Sequence, residues 1–218
     1  DTAEELAQDI IAAGDGLCNP EAVRLLAESI PHVVDDFLLR RLDVQFSRNE
    51  AGELDYTQEA AHSRRRIAHA DDATGHAIIS RIAEAVQSEP RVQLHTRQTA
   101  VDLITVPHHA LDPLRIYGPV ECLGAYALDQ VSGRVKRYFA PHTVLATGGL
   151  GQLYLHTTNP RVARGDGLAM AHRAGAEITN AEYVQFHPTA FYHRDADRFL
   201  ISESVRGEGA VLRRRDGT

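Results

Sequence analysis

The stretch Gln185-Phe186-His187-Pro188-Thr189 sets an imidazole, a carboxamide and a hydroxyl at the end of an alternating apolar run. Gln185 and His187 stand two residues apart, so on an extended chain they share a face. Together they can donate hydrogen bonds, or a positive charge from His187, to a carboxylate. A second group, Ser202-Glu203-Ser204-Val205-Arg206, spaces a carboxylate and a guanidinium three residues apart. On a helical turn these two meet, and such a pair can pass or stabilise a proton. At a surface the same pair is an ordinary ion pair of little energetic weight. A third group, Glu59-Ala60-Ala61-His62-Ser63-Arg64-Arg65-Arg66, concentrates an acid, an imidazole and three cations in a polar segment. Loops of this kind carry function disproportionately, although a solvated turn is the default reading of Arg64–Arg66 and of Arg213–Arg215. None of these residues is spaced as a Ser-His-Asp order or a metal cluster.

Two further stretches suit a bulky phosphorylated ligand. Leu145-Ala146-Thr147-Gly148-Gly149-Leu150-Gly151 ends an apolar run in glycines, which allow close backbone approach and positive φ. A tight turn explains it equally well, and the spacing is not that of a dinucleotide fingerprint. Asp166 stands between glycines at the start of a helical pattern. An N-cap is the favoured reading of that residue alone; hydrogen bonding to ligand hydroxyls is the functional one.

The elements that must position these groups follow from capping and periodicity. Thr2-Ala3-Glu4-Glu5 is a capping box that opens a helix ending at Gly14. Asn19-Pro20 opens a second helix to about Ile30, and Pro31 is expected to open a third with Val34, Phe37, Leu38 and Leu42 on one stripe. Residues 43–47 read as a short strand and 47–70 as irregular. A helix follows from Asp72 to about Ser88 through Ile78, Ile79, Ile82 and Val86. Strand-like runs occupy 91–95, 99–106, 120–129 and 134–140, with a turn at Gln130–Gly133. Residues 143–149 read as a buried strand running into glycines, 166–176 as a helix and 183–189 as a strand end. Ser202 to about Arg206 reads as a short helical turn. This pattern is a mixed α/β (α+β) nucleotide-binding layer with helices and a β-meander, changing domain near residues 175–185.

Composition narrows the function. The 218 residues are 43% hydrophobic, enough for a packed core. A net charge of −7 with no long basic face argues against sequence-independent nucleic-acid binding. Cys18 and Cys122 are the only cysteines and fit no metal spacing, so two reduced thiols are expected, as in a cytoplasmic protein. No apolar run approaches membrane-spanning length and no signal peptide is visible. The missing initiator Met and the turn-like end give both termini the look of cuts within a longer protein.

Taken in order, residues 59–75, 143–160, 165–176, 182–193 and 202–218 resemble the L-aspartate oxidases of the succinate dehydrogenase/fumarate reductase flavoprotein family. Ala146-Thr147-Gly148-Gly149, Gly165-Asp166-Gly167, Gln185–Thr189 and Arg206–Gly209 are shared across the wider family. The Glu59 loop and Thr157-Thr158-Asn159-Pro160 point to the aspartate oxidases. The resemblance covers nearly all of this chain and less than half of a full-length member. It implies a partial FAD-binding domain over 1–178 and the start of a capping domain over 179–218. The family's N-terminal FAD fingerprint would precede Asp1, and its proton-transfer arginine would follow Thr218.

The implied reaction is oxidation of L-aspartate to iminosuccinate. Hydride passes to flavin N5, electrons leave to O2 or fumarate, and the product goes to quinolinate synthase in NAD biosynthesis. By the same resemblance, Asp166, Thr147, Gly148, Gly149 and Ala100 contact FAD. His187 and Ser202 bind the substrate carboxylates with Gln185 nearby, Glu203 and Arg206 handle protons, and Glu59 orients aspartate through its amino group. Two residues depart from the family pattern: Ala60-Ala61 replaces Gly-Gly, and Ser202 stands where Thr is common. If the glycines take positive φ, alanine costs stability or shifts Glu59. The alternatives are a fumarate reductase or succinate dehydrogenase flavoprotein subunit, or an inactive piece that binds no cofactor.

Overall fold

The computed structural model describes residues 2–59, 61–187, 189–193, 200–201, 205 and 209–218. They fall into two compact units, Asp1–Leu94 with Ile201–Thr218, and His95–Leu200.

In the first unit, helix α1 (Ala3–Ala13) starts on the expected capping box. The Thr2 hydroxyl accepts from the Glu5 N–H, and Glu5 Oε2 accepts from the Thr2 N–H at 3.1 Å. Helix α2 (Pro20–His32) starts on Asn19, whose side chain accepts from the N–H groups of Glu21 and Ala22. Ala7 of α1 packs on Val23 and Ala27 of α2, with Leu6 and Ile10 around them. The break expected at Pro31 is absent. Pro31 lies inside α2, and the chain runs straight into a π-type helix, Val33–Arg41. Proline removes one i→i−4 bond and crowds the preceding turn; the wider winding begins two residues later.

Val44 and Phe46 are buried with Leu42 against Leu54, Ile78 and Ile82. The strand expected over 43–47 joins no ladder among the described residues, Asp43 having φ +52°, and Arg48 bridges Leu54. The 47–70 segment has more order than its composition promises. Strands β1 (Tyr56–Thr57) and β2 (Ile67–Ala68) pair antiparallel and enclose a nine-residue loop, 58–66. Helix α3 (Thr74–Ser88) is tied back by Arg81, whose Nε donates to the Leu42 carbonyl at 2.7 Å.

The second unit is built on the expected β-meander, β3 (Gln98–Val106), β4 (Glu121–Asp129) and β5 (Val135–Phe139), in the order β3-β4-β5. The turn after β4 is held by the Asp129 carboxylate, which accepts from the Val131 and Ser132 N–H groups. Helix α4 (Asp166–Arg173) contributes the fully buried Met170. Its Arg173 Nε donates to Asp102 Oδ2 of β3 at 2.9 Å.

Two strand expectations fail here. Residues 91–95, which start in a turn at Arg91, and residues 143–147 join no ladder among the described residues, and Val144 is 87% exposed. An extended segment becomes a strand only when a neighbour supplies the ladder. Residues 183–187 likewise join no ladder, the Tyr183 and Val184 N–H groups donating to the Asn180 and Glu182 carbonyls. The helical turn expected at Ser202–Arg206 falls on residues that, but for Val205, lie outside the described ones.

Candidate functional site

In the second unit, the run 143–147 leads into Gly148, whose φ of +73° suits glycine. Gly149 O accepts from the Gly165 N–H at 3.2 Å, which brings the start of α4 beside the turn. Gly165, at φ +78°, is the residue before the first helical turn. Asp166 is therefore the first helical residue, and its carboxylate caps no backbone N–H. Instead Arg164 NH2 donates to Asp166 Oδ2 at 2.7 Å, and both side chains are about half exposed. This corrects the favoured N-cap reading: an aspartate in helical φ/ψ cannot loop back onto its own N2 and N3 groups as a β-region residue does.

The neighbouring glycines have distinct jobs. A Cβ on Gly167 would lie 1.8 Å from Thr147 Oγ1, and one on Gly151 would lie 2.6 Å from the Asn159 side chain. These two permit close internal packing. A Cβ on Gly148 would meet nothing within 4 Å, so open space remains beside the turn. Ala100 sits on β3 opposite Ala127, exposed, just before a bulge.

A cleft of about 240 Å³ lies next to the glycine turn. Residues 156–159 and Gly151 line it together with residues 184–187 and Ala190. Gln185 and His187 thus meet in one cleft. The His187 ring is oriented by Thr189: Nδ1 lies 2.7 Å from the Thr189 carbonyl and 3.1 Å from its N–H. Nδ1 donates to that carbonyl in one tautomer and accepts from that N–H in the other, and either bond holds the ring in this orientation. The Thr189 hydroxyl oxygen is buried without a hydrogen-bond partner among the described residues. The facing run is fixed from within, since Gln152 Nε2 donates to the Asn159 carbonyl at 2.7 Å and Thr157 Oγ1 accepts from the Asn159 N–H at 3.1 Å. Sequence reasoning used His156–Asn159 only as a family mark. Its signal was a run of hydroxyls and an amide between the glycine turn and α4.

In the first unit, Glu59 is half-buried on the 58–66 loop. The His62 N–H donates to the Glu59 carbonyl at 3.2 Å, and Gln58 Nε2 donates to the His62 carbonyl at 2.6 Å. Ala61 has φ +67°, so an alanine does occupy the left-handed region at one of the two positions where the resemblance implied glycine. The Arg64–Arg66 triplet is not simply solvated. Arg66 is 8% exposed and pairs with Asp9 of α1. Ser202, Glu203 and Arg206 lie outside the described residues, as do Ala60 and Pro188.

The FAD binding domain family matches residues 1–218 throughout. The chain belongs to that family. It is 44% identical over 220 residues to L-aspartate oxidase 1 of Ralstonia nicotianae and 46% identical over 217 residues to an L-aspartate oxidase of Halobacterium salinarum. Each comparison covers 100% of this chain and 40% of the relative, so the chain spans about two fifths of their length. Among solved structures it superposes on a quinol-fumarate reductase with menaquinol molecules with a TM-score of 0.84 at 26% identity, covering 100% of this chain and 35% of that one. With Mycobacterium smegmatis Sdh1 in complex with UQ1 the TM-score is 0.77 at 29% identity, covering 100% and 36%. The family implies FAD, and the second unit fits one wall of such a site. It offers a left-handed glycine with free space beside it and an adjoining helix start, whose first N–H groups have no acceptor within the helix.

Proposed function

We propose that the protein containing this chain oxidises L-aspartate to iminosuccinate, bound FAD accepting the hydride at N5 and passing electrons to O2 or fumarate. The observation that carries this reading is the cleft where Gln185 and His187 face residues 156–159 beside the glycine turn, in a chain whose relatives are named L-aspartate oxidases. Thr147, Gly148, Gly149, Asp166 and Ala100 form the cofactor wall. His187 and Gln185, with Ser202, grip the dicarboxylate. The Thr189 backbone orients the His187 ring through Nδ1, and the other ring nitrogen serves a substrate carboxylate. Glu59 orients the amino group, and Glu203 with Arg206 handles protons. Residues 179–218 begin a capping domain. The iminosuccinate passes to quinolinate synthase, and the enzyme works in the cytoplasm. Substrate binding here is mainly positioning of Cα relative to the flavin.

His187→Ala in the full-length, flavin-loaded protein is expected to raise KM for aspartate about 10- to 100-fold, the loss of one charge-assisted hydrogen bond of about 1.5–3 kcal/mol. An unchanged KM removes His187 from the site.

The structural likeness to a quinol-fumarate reductase supports a second reading, a fumarate reductase or succinate dehydrogenase flavoprotein. The Glu59 loop separates the two. Glu59→Gln is expected to impair aspartate turnover and spare fumarate reduction; equal loss of both favours the second reading.

A further inference from the structure

We propose that Asp9 is a positioning residue for the Glu59 loop, holding it from helix α1 so that Glu59 meets the substrate amino group. The proposal rests on the reading of Glu59 given above. Three donors converge on one oxygen, Asp9 Oδ2: the Ser63 N–H at 2.9 Å, the Ser63 hydroxyl at 2.9 Å and Arg66 NH1 at 2.5 Å. The Asp9 side chain is 17% exposed and that of Arg66 8%. A second tie runs beside it, where Arg64 Nε and NH2 donate to Glu5 Oε1 at 3.2 and 3.0 Å. The other Glu5 oxygen is engaged in the capping box, so the loop is fastened to a helix end that is itself fixed.

The loop's other bonds from Gln58, His62, Arg65 and the Arg66 N–H stay within residues 56–66, whereas the Asp9 and Glu5 ties reach out of it to α1. Its supporting ladder has two residues per strand, and so short a pair is marginal on its own. Residues 58–66 contain no large apolar side chain. Ala61 stands in the left-handed region, a conformation unfavourable for a residue with a Cβ. Polar anchoring from α1 therefore sets where the loop, and Glu59 with it, rests. Removing the Asp9 charge weakens the hold of α1 on Ser63 and Arg66 without touching the substrate.

The test is a double-mutant cycle on the full-length, flavin-loaded protein, with aspartate oxidation and fumarate reduction assayed in parallel. Asp9→Asn is expected to raise KM for aspartate about tenfold and to leave fumarate reduction intact. Because Asp9 acts through Glu59, Asp9→Asn with Glu59→Gln should match Glu59→Gln alone to within about twofold. Asp9→Glu, which keeps the carboxylate, should recover part of the loss. Ser63→Ala removes one donor with little threat to folding, and is expected to move KM the same way by a smaller factor; it carries the test if Asp9→Asn does not fold. Additive effects in the cycle, equal loss of both activities, or an unchanged KM in Asp9→Asn or, failing that, in Ser63→Ala overturns the positioning role. If Glu59→Gln itself leaves KM unchanged, the Glu59 reading falls and this role falls with it. If Glu59→Gln raises KM and Asp9→Asn does not, only the role of Asp9 falls.

Discussion

At the scale of single residues, Ala61 and Asp9 act in opposite senses on one loop. A left-handed alanine costs about 1 kcal/mol relative to glycine at the same φ. Ala61→Gly is therefore expected to raise stability by about 0.5–1 kcal/mol, read from chemical denaturation. A destabilised Ala61→Gly would show that the φ of +67° is not a strained state. Asp9 is held well below the usual carboxylate range, to about 2. The Ser63 N–H is the largest favourable cause, followed by the Arg66 and Ser63 side chains, against the opposing effect of burial. A folded-state pKa below the unfolded value of 3.8 gives stability that is present above pH 3.8 and is lost as pH falls through about 2. Acid titration of the protein should show a transition in that window that is blunted in Asp9→Asn. The acidic and glycine-rich residues were visible in the sequence as types. Their partners were not: Arg66 and Asp9 are 57 residues apart, and no local pattern distinguishes a buried arginine from a solvated one. The same limit applied to Asp166, whose neighbour Arg164 takes its carboxylate instead of the helix backbone.

At the scale of elements, caps and alternation were legible because they are local. Thr2, Asn19 and the runs that became β3, β4 and β5 lie where capping and period-2 patterning put them. Segments 91–95 and 143–147 have the composition of strands yet find no partner among the described residues. Composition fixes which chain can enter a ladder, and a neighbour decides whether it does. Pro31 marked a helix boundary in the sequence, but the chain kept winding and widened instead. Two glycines give tests at this scale. In β4, a Cβ on Gly124 would lie 1.8 Å from the Tyr138 carbonyl oxygen of β5, at φ +145°. Gly124→Ala should cost about 2–3 kcal/mol by forcing the two strands apart; a neutral effect would mean the pairing tolerates a shift. Gly167→Ala should push α4 off Thr147. Under the proposed cofactor wall it weakens FAD binding, measured by flavin fluorescence, and unchanged affinity would remove α4 from that wall.

At the scale of the whole molecule, a chain with a net charge of −7 carries, under the proposed reading, one wall of a flavin site and part of a dicarboxylate cleft in its second unit. Its first unit carries the tethered Glu59 loop. Family membership was legible because several short motifs occur in a fixed order, a property of the whole chain that no single motif has. The cleft formed by residues 156–159 and 184–187 was not legible, since the two runs are remote in sequence and only folding brings them together. The most direct test of the central claim is anaerobic mixing of the full-length, flavin-loaded protein with L-aspartate or with succinate while flavin absorbance is followed. Bleaching by aspartate and none by succinate is the predicted result. Bleaching by succinate alone, or by neither, would contradict it.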